Sequence, residues 1–177
     1  MGTALPRRAA QRFADHLNGV LNRTVSDSRL VVAPIPGEPD TFKLTRVVEE
    51  DDVPLELDGT TARLFVQQVV VVEDDQCRTE SYLYRLQADA SARSALVRWE
   101  YRRDPPRAKY LYPRAHVHVN GTFADGKPAS PKHIATARVS LELVLRNLIS
   151  DWGVKPRTND WEAILKQSAG AFDHPSH

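Results

Sequence analysis

Apolar residues along the chain recur first at helical spacing and then at strand spacing. Leu5, Ala9, Phe13, Leu17, Val20 and Leu21 fall on one stripe and predict a helix over residues 5–21, with Arg7, Arg8, Arg12 and Asp15 off the stripe. Pro6 suits its first turn, where a missing N–H costs little. From Arg29 to Val48 the segments R-L-V-V-A-P-I and T-F-K-L-T-R-V-V read as two strands around a P-G-E-P-D turn. The acidic E-E-D-D at 49–52 reads as a solvated loop, since four adjacent carboxylates rarely all face one ion.

The next stretch alternates with period two. T-A-R-L-F-V-Q-Q-V-V-V-V-E is a long strand ended by D-D-Q-C. In T-E-S-Y-L-Y-R-L-Q-A, Tyr82, Tyr84 and Leu86 share one face, while Ser81, Leu83, Arg85 and Gln87 share the other. Strands are thus expected at 62–73, 79–88, 95–103 and 114–120. Their short connections favour antiparallel neighbours, because parallel ones need long crossovers. A loop is expected over 122–132. A helix follows at about 141–150, with Ser140 as N-cap, Glu142 in its first turn and Gly153 as its stop. A last helix begins after Asn159 or Asp160 and packs through Trp161, Ile164 and Leu165. The expected fold class is α+β: an antiparallel meander sheet of four or more strands with helices packed on one face. One domain spans residues 1–172, and residues 173–177 form a frayed tail.

The chain of 177 residues can bury one core but is short for two large domains. Its formal charge of +1 excludes a polycation, yet the charges are segregated. Residues 49–58 carry only acidic charges. Residues 98–114 carry Arg98, Arg102, Arg103, Arg107, Lys109 and Arg114 against Glu100 and Asp104. Cys77 is the only cysteine, which rules out an intrachain disulfide and a cysteine-based zinc knot. No structural zinc and no cofactor are expected. The N-terminus lacks the apolar core of a secretory signal, and no stretch nears the roughly 18 apolar residues of a membrane span. A cytoplasmic location without membrane attachment is the expectation.

The chemistry concentrates between Leu96 and Asn120. Val97, Trp99 and Tyr101 point one way and Arg98, Glu100 and Arg102 the other. Ala115, Val117 and Val119 oppose His116, His118 and Asn120. With the apolar faces buried, the opposite face of the sheet gathers arginines, a carboxylate and two imidazoles. Two histidines at i and i+2 can supply two nitrogens to a metal, with His133 or Glu100 as a further ligand. They can equally serve as an acid and a base, or be ordinary residues of a half-exposed strand. The catalytic candidates are His116, His118, Arg98 and Glu100. Arg102, Arg103, Arg107, Lys109 and Arg114 could contact phosphates, and Tyr110 and Tyr112 could stack on bases, which suits single-stranded nucleic acid. In RNA cleavage the imidazoles would be base and acid, Arg98 or Arg102 would meet charge on the phosphoryl oxygens, and Glu100 would orient an imidazole.

The run of R-W-E-Y on a strand, then H-V-H-V, then a helix of the form S-L-E-L-V-L resembles the TumE-like toxin components of bacterial toxin–antitoxin pairs, over about residues 80–150. That resemblance implies action on RNA in the cytoplasm and inhibition by a helix-turn-helix antitoxin. Arg98, His116 and His118 match the pattern. The long N-terminal part, the insertion between His118 and the helix, and the C-terminal helix depart from it. The functions left open are an RNA-directed nuclease or toxin, a non-catalytic domain binding nucleic acid or a protein partner, and a structural subunit.

Overall fold

The computed structural model describes residues 4–92, 94–105, 113–120 and 132–172. The chain starts with helix α1 (Ala4–Thr24), followed by strands β1 (Val31–Pro34), β2 (Thr41–Val48), β3 (Asp51–Val53), β4 (Leu55–Glu56), β5 (Arg63–Glu73), β6 (Gln76–Gln87), β7 (Ala95–Arg102), β8 (Ala115–Val119) and β9 (Lys132–Ala135). Helices α2 (Leu141–Asp151) and α3 (Trp161–Phe172) follow. The strands form one antiparallel sheet in the order β1-β2-β5-β6-β7-β8-β9, with β3 paired to β2 and β4 to β5. From β5 to β9 each strand pairs with the next in sequence, which is the expected meander.

The alternation read from the sequence decides the two faces. Leu64, Val66, Tyr82, Tyr84, Leu86, Val97 and Trp99 lie in one buried cluster with Ala10, Ala14, Leu17 and Leu21 of α1 and Val144, Leu145 and Leu148 of α2. Leu165 of α3 lies in the same cluster, so all three helices among the described residues serve one face. Tyr84, only 1% exposed, donates its hydroxyl to Gln68 Oε1 at 2.8 Å, and Gln68 Nε2 donates to Thr79 Oγ1 at 3.0 Å, so the buried polar atoms satisfy one another. The Tyr82 hydroxyl accepts the Val139 N–H at 2.7 Å and so fixes the entry into α2 on the sheet. Ser140 caps α2 by accepting from Leu143 N, and Gly153 turns the chain away at φ +71°, as its sequence position suggested. Among the described residues no helix is long and apolar enough to cross a membrane.

Three strands fall where none was expected. The E-E-D-D segment is not all loop: Glu49 and Glu50 form the turn, and Asp51 and Asp52 begin β3, with Asp52 held by Lys43 Nζ at 2.8 Å. The two residues of β4 were hidden by their brevity, and β9 occupies 132–135 at the end of the expected loop, most of which lies outside the described residues. The tail 173–177 also lies outside them.

Two hairpins use two-residue turns with both residues left-handed: Glu49 and Glu50 (φ 49° and 75°), and Asp74 and Asp75 (φ 50° and 62°). Such turns match the twist of the flanking strands and prefer Asn-Gly, because a side chain is strained at positive φ. Replacing Glu49 and Glu50 by Asn and Gly should raise the unfolding free energy by about 1 kcal/mol. A urea midpoint equal to or below that of the wild type would contradict this. Tyr84→Phe should lower stability by about 1–3 kcal/mol, because Gln68 Oε1 loses its buried donor. The same titration reads both.

Candidate functional site

The face of the sheet away from the helices carries the candidate chemistry, arranged by strand register. Arg85 of β6 lies opposite Arg98 of β7, Arg98 opposite His118 of β8, and His118 opposite His133 of β9. The next row along the same face runs Leu83, Glu100, His116, Ala135. Three strand pairings thus bring three imidazoles, a carboxylate and two guanidinium groups onto adjoining positions. The faces are those the alternation predicted.

The environment differs from the expectation. His116 and His118 are 4% and 6% exposed, not half-exposed strand residues. They are not buried beneath a helix either, since the helices occupy the opposite face. Their rings crowd with that of His133: centroids lie 4.9 Å apart for His116 and His118, 5.1 Å for His116 and His133, and 4.0 Å for His118 and His133. One ring nitrogen from each converges so that all three lie within 4.8 Å of one another.

Glu100 closes the group. Its Oε2 lies 3.1 Å from His116 Nε2 and 3.1 Å from His118 Nε2. Its Oε1 lies 3.0 Å from Arg98 Nε, a charge contact without the alignment of a hydrogen bond. Arg98 Nη2 stands 3.2 Å from His118 Nε2. The proton inventory is informative. His116 Nδ1 is 2.8 Å from the Pro113 carbonyl, which can only accept, so Nδ1 carries a hydrogen. A neutral His116 then turns a lone pair at Nε2 toward a carboxylate oxygen. That contact requires a proton or a cation between the two atoms.

The pKa directions favour neutral rings at two positions. Burial, and then the positive charge of Arg98, holds His118 below the ordinary 6.5, with Glu100 opposing. Burial and the neighbouring His116 and Arg98 act the same way on His133. Neutral imidazoles are metal ligands, and a backbone carbonyl holding Nδ1–H, as at His116, sets Nε2 for ligation.

The basic residues are less concentrated than their sequence run suggested. Arg102 and Arg114 are exposed and share the wall of a cleft of about 490 Å³ beside Glu100 and His116, but Glu38, Glu80 and Asp104 line it too. Arg103 is turned to Glu80, at 3.9 Å. Arg107, Lys109, Tyr110 and Tyr112 lie outside the described residues. A larger cavity, about 690 Å³, opens on the helix side beside Phe13, Tyr82 and Glu142. It adjoins Cys77, whose thiol burial pushes up to about 11, which leaves it protonated and a poor nucleophile. His133 is the residue the sequence reading placed least firmly. Its sequence distance from the H-V-H pair hid that β9 returns directly beside β8.

No protein-family model, curated protein or solved structure matches the chain.

Two outcomes follow from burial. The unfolded chain protonates His118 and His133 more readily than the folded one, so the unfolded state binds more protons below the ordinary value of 6.5. With chelator present, stability should be full above that pH and fall as pH drops through the depressed folded values. Urea midpoints from about pH 5 to 8 check this, and a flat profile would contradict it. His116→Ala or His118→Ala should each cost about 1–3 kcal/mol, because each strips a buried partner from Glu100.

Proposed function

We propose that the protein is a metal-dependent hydrolase of phosphodiesters, with a divalent transition-metal ion held by His116, His118 and His133. The observation that carries this is the convergence of three ring nitrogens within 4.8 Å of one another beside the Glu100 carboxylate. Three imidazoles suit zinc, iron, nickel or copper, and leave coordination positions for water and substrate. This departs from the metal-free expectation, and the geometry supplies the reason. An acid–base pair of histidines should flank the phosphorus, whereas here both Nε2 atoms face the same carboxylate oxygen.

An ion held by His116, His118 and His133 would acidify a bound water and polarise a phosphoryl oxygen. The chain's own groups do the rest. Glu100, with one oxygen fixed by Arg98, takes the water proton as the water oxygen bonds to phosphorus. The ester P–O bond breaks, and that proton passes to the departing oxygen. Arg98 meets the charge developing on the phosphoryl oxygens. RNA is the proposed substrate: the R-W-E-Y and H-V-H-V resemblance points to it, and the exposed Arg102 and Arg114 lie beside the centre. Inhibition by a helix-turn-helix antitoxin belongs to the same reading.

Protein purified without a metal-affinity step should be stripped with chelator and titrated with Co²⁺. A single equivalent should give visible d–d absorption, and His133→Ala should weaken that binding at least about 100-fold. Metal-loaded protein should cleave a fluorogenic oligoribonucleotide, and Glu100→Gln should keep the absorption while losing about 10²–10⁴-fold in rate. Absence of Co²⁺ uptake, or RNA cleavage undiminished in chelator, would sink the proposal.

A further inference from the structure

Arg85 is a cation in an unfavourable place. Its cross-strand neighbour on the same face is Arg98, and like charges directly opposite destabilise a sheet. Among the described residues no carboxylate pairs with Arg85, in contrast to Arg98, which meets Glu100, and Arg103, which meets Glu80. Its Nε is buried without a hydrogen-bond partner, and its guanidinium lies over the Phe65 ring at 4.8 Å, held in place by the next strand. Burial and the charge of Arg98 both work against the charged form of Arg85. An arginine nevertheless stays protonated in proteins. The register therefore sets two arginines directly opposite one another, and among the described residues Arg85 has no carboxylate partner.

The register places this pair with respect to the imidazoles. Arg85, Arg98, His118 and His133 form one row across β6, β7, β8 and β9, with strands about 4.8 Å apart. Arg98 is the shared member, between the unpaired guanidinium and the histidine cluster.

We propose that Arg85 and Arg98 form a seat for a phosphoryl oxyanion adjoining the histidine cluster, with Arg85 as the residue that selects for the anion. Planar forks bind phosphate oxygens bidentately, and two forks beside an ion offer more donors than the two oxygens of a carboxylate can fill. The seat deepens the phosphodiesterase reading, on which its role in catalysis rests, but the anion site itself stands on the arginine pair. The phosphoryl group could belong to a monoester or to a diester such as an RNA backbone. Both share the oxyanion, and separate probes tell them apart.

The test uses the full chain and inorganic phosphate, with phenyl phosphate and dimethyl phosphate as the monoester and diester arms. Calorimetry should show phosphate binding to wild type that weakens at least about 10-fold in Arg85→Met. That variant keeps an unbranched apolar stem on Phe65 and removes the charge. Arg85→Lys should recover part of the affinity, since it restores the charge but not the fork. Without phosphate, Arg85→Met should be as stable as wild type or more so, because the like-charge pair is gone. Added phosphate should raise the melting temperature of wild type only. The Co²⁺ absorption should be the same in both, which separates the two readings. Lost cobalt uptake with Arg85-dependent phosphate binding would remove the metal centre and leave the seat. Equal phosphate binding by wild type and Arg85→Met, or none by wild type, would overturn the seat whatever the metal does. An acetate affinity matching that of phosphate would overturn the assignment to a phosphoryl group.

Discussion

A single carboxylate, Glu100, sets the electrostatics of the open sheet face. It touches two imidazoles through one oxygen and a guanidinium through the other. Its position follows from register alone: one strand pairing puts it opposite His116, and its neighbour two residues back is Arg98. A shift of one residue in the β7–β8 pairing would turn these groups toward the helices and the apolar side chains toward solvent. The apolar alternation that builds the core therefore also assembles the polar cluster. Val97 and Trp99 cannot be buried against the helices without presenting Arg98 and Glu100 on the other side.

This division of labour explains why so polar a cluster is tolerated. All the helices pack on the opposite face, and the main apolar cluster lies there too, from α1 through β5, β6 and β7 to α2. The cluster of histidines and arginines sits at the β6–β9 side of the sheet, apart from that core. Strain of another kind appears at the two acidic turns, where non-glycine residues hold positive φ. Those turns sit at hairpin ends, remote in sequence from the histidines.

Much of this was legible from alternation. The pattern around Trp99 assigned both faces of β7 and β8, and Ser140 and Gly153 marked the ends of α2, because these signals are local. Four features were not. Burial of His116 and His118 depends on what surrounds the strands, which periodicity does not encode. β9 is four residues long and follows Pro131, so its K-H-I-A lacked both the length and the alternation of a strand, and His133 went with it. The turn at Glu49 and Glu50 was unreadable because two-residue hairpin turns are recognised by Asn and Gly, and here two glutamates occupy it. The pairing of Arg85 with Arg98 needed a register between strands, not the composition of either one.

The packing of α1 has a consequence for the chain during its synthesis. His16 of α1 is 2.7 Å from Ser168 of α3, and Ser168 in turn donates to Glu142 of α2 at 2.6 Å. The sheet meander closes progressively, each strand on the one just made, and α1 takes partners from β1, β2, β5 and β6 before it meets α3 at the far end of the sequence. At about 5–20 residues per second, the stripe of Ala10, Ala14, Leu17 and Leu21 emerges on the order of 10 s before α3. The helix can therefore settle on the sheet while the chain is still being made, and its His16 side stays open until Glu142 and Ser168 have followed.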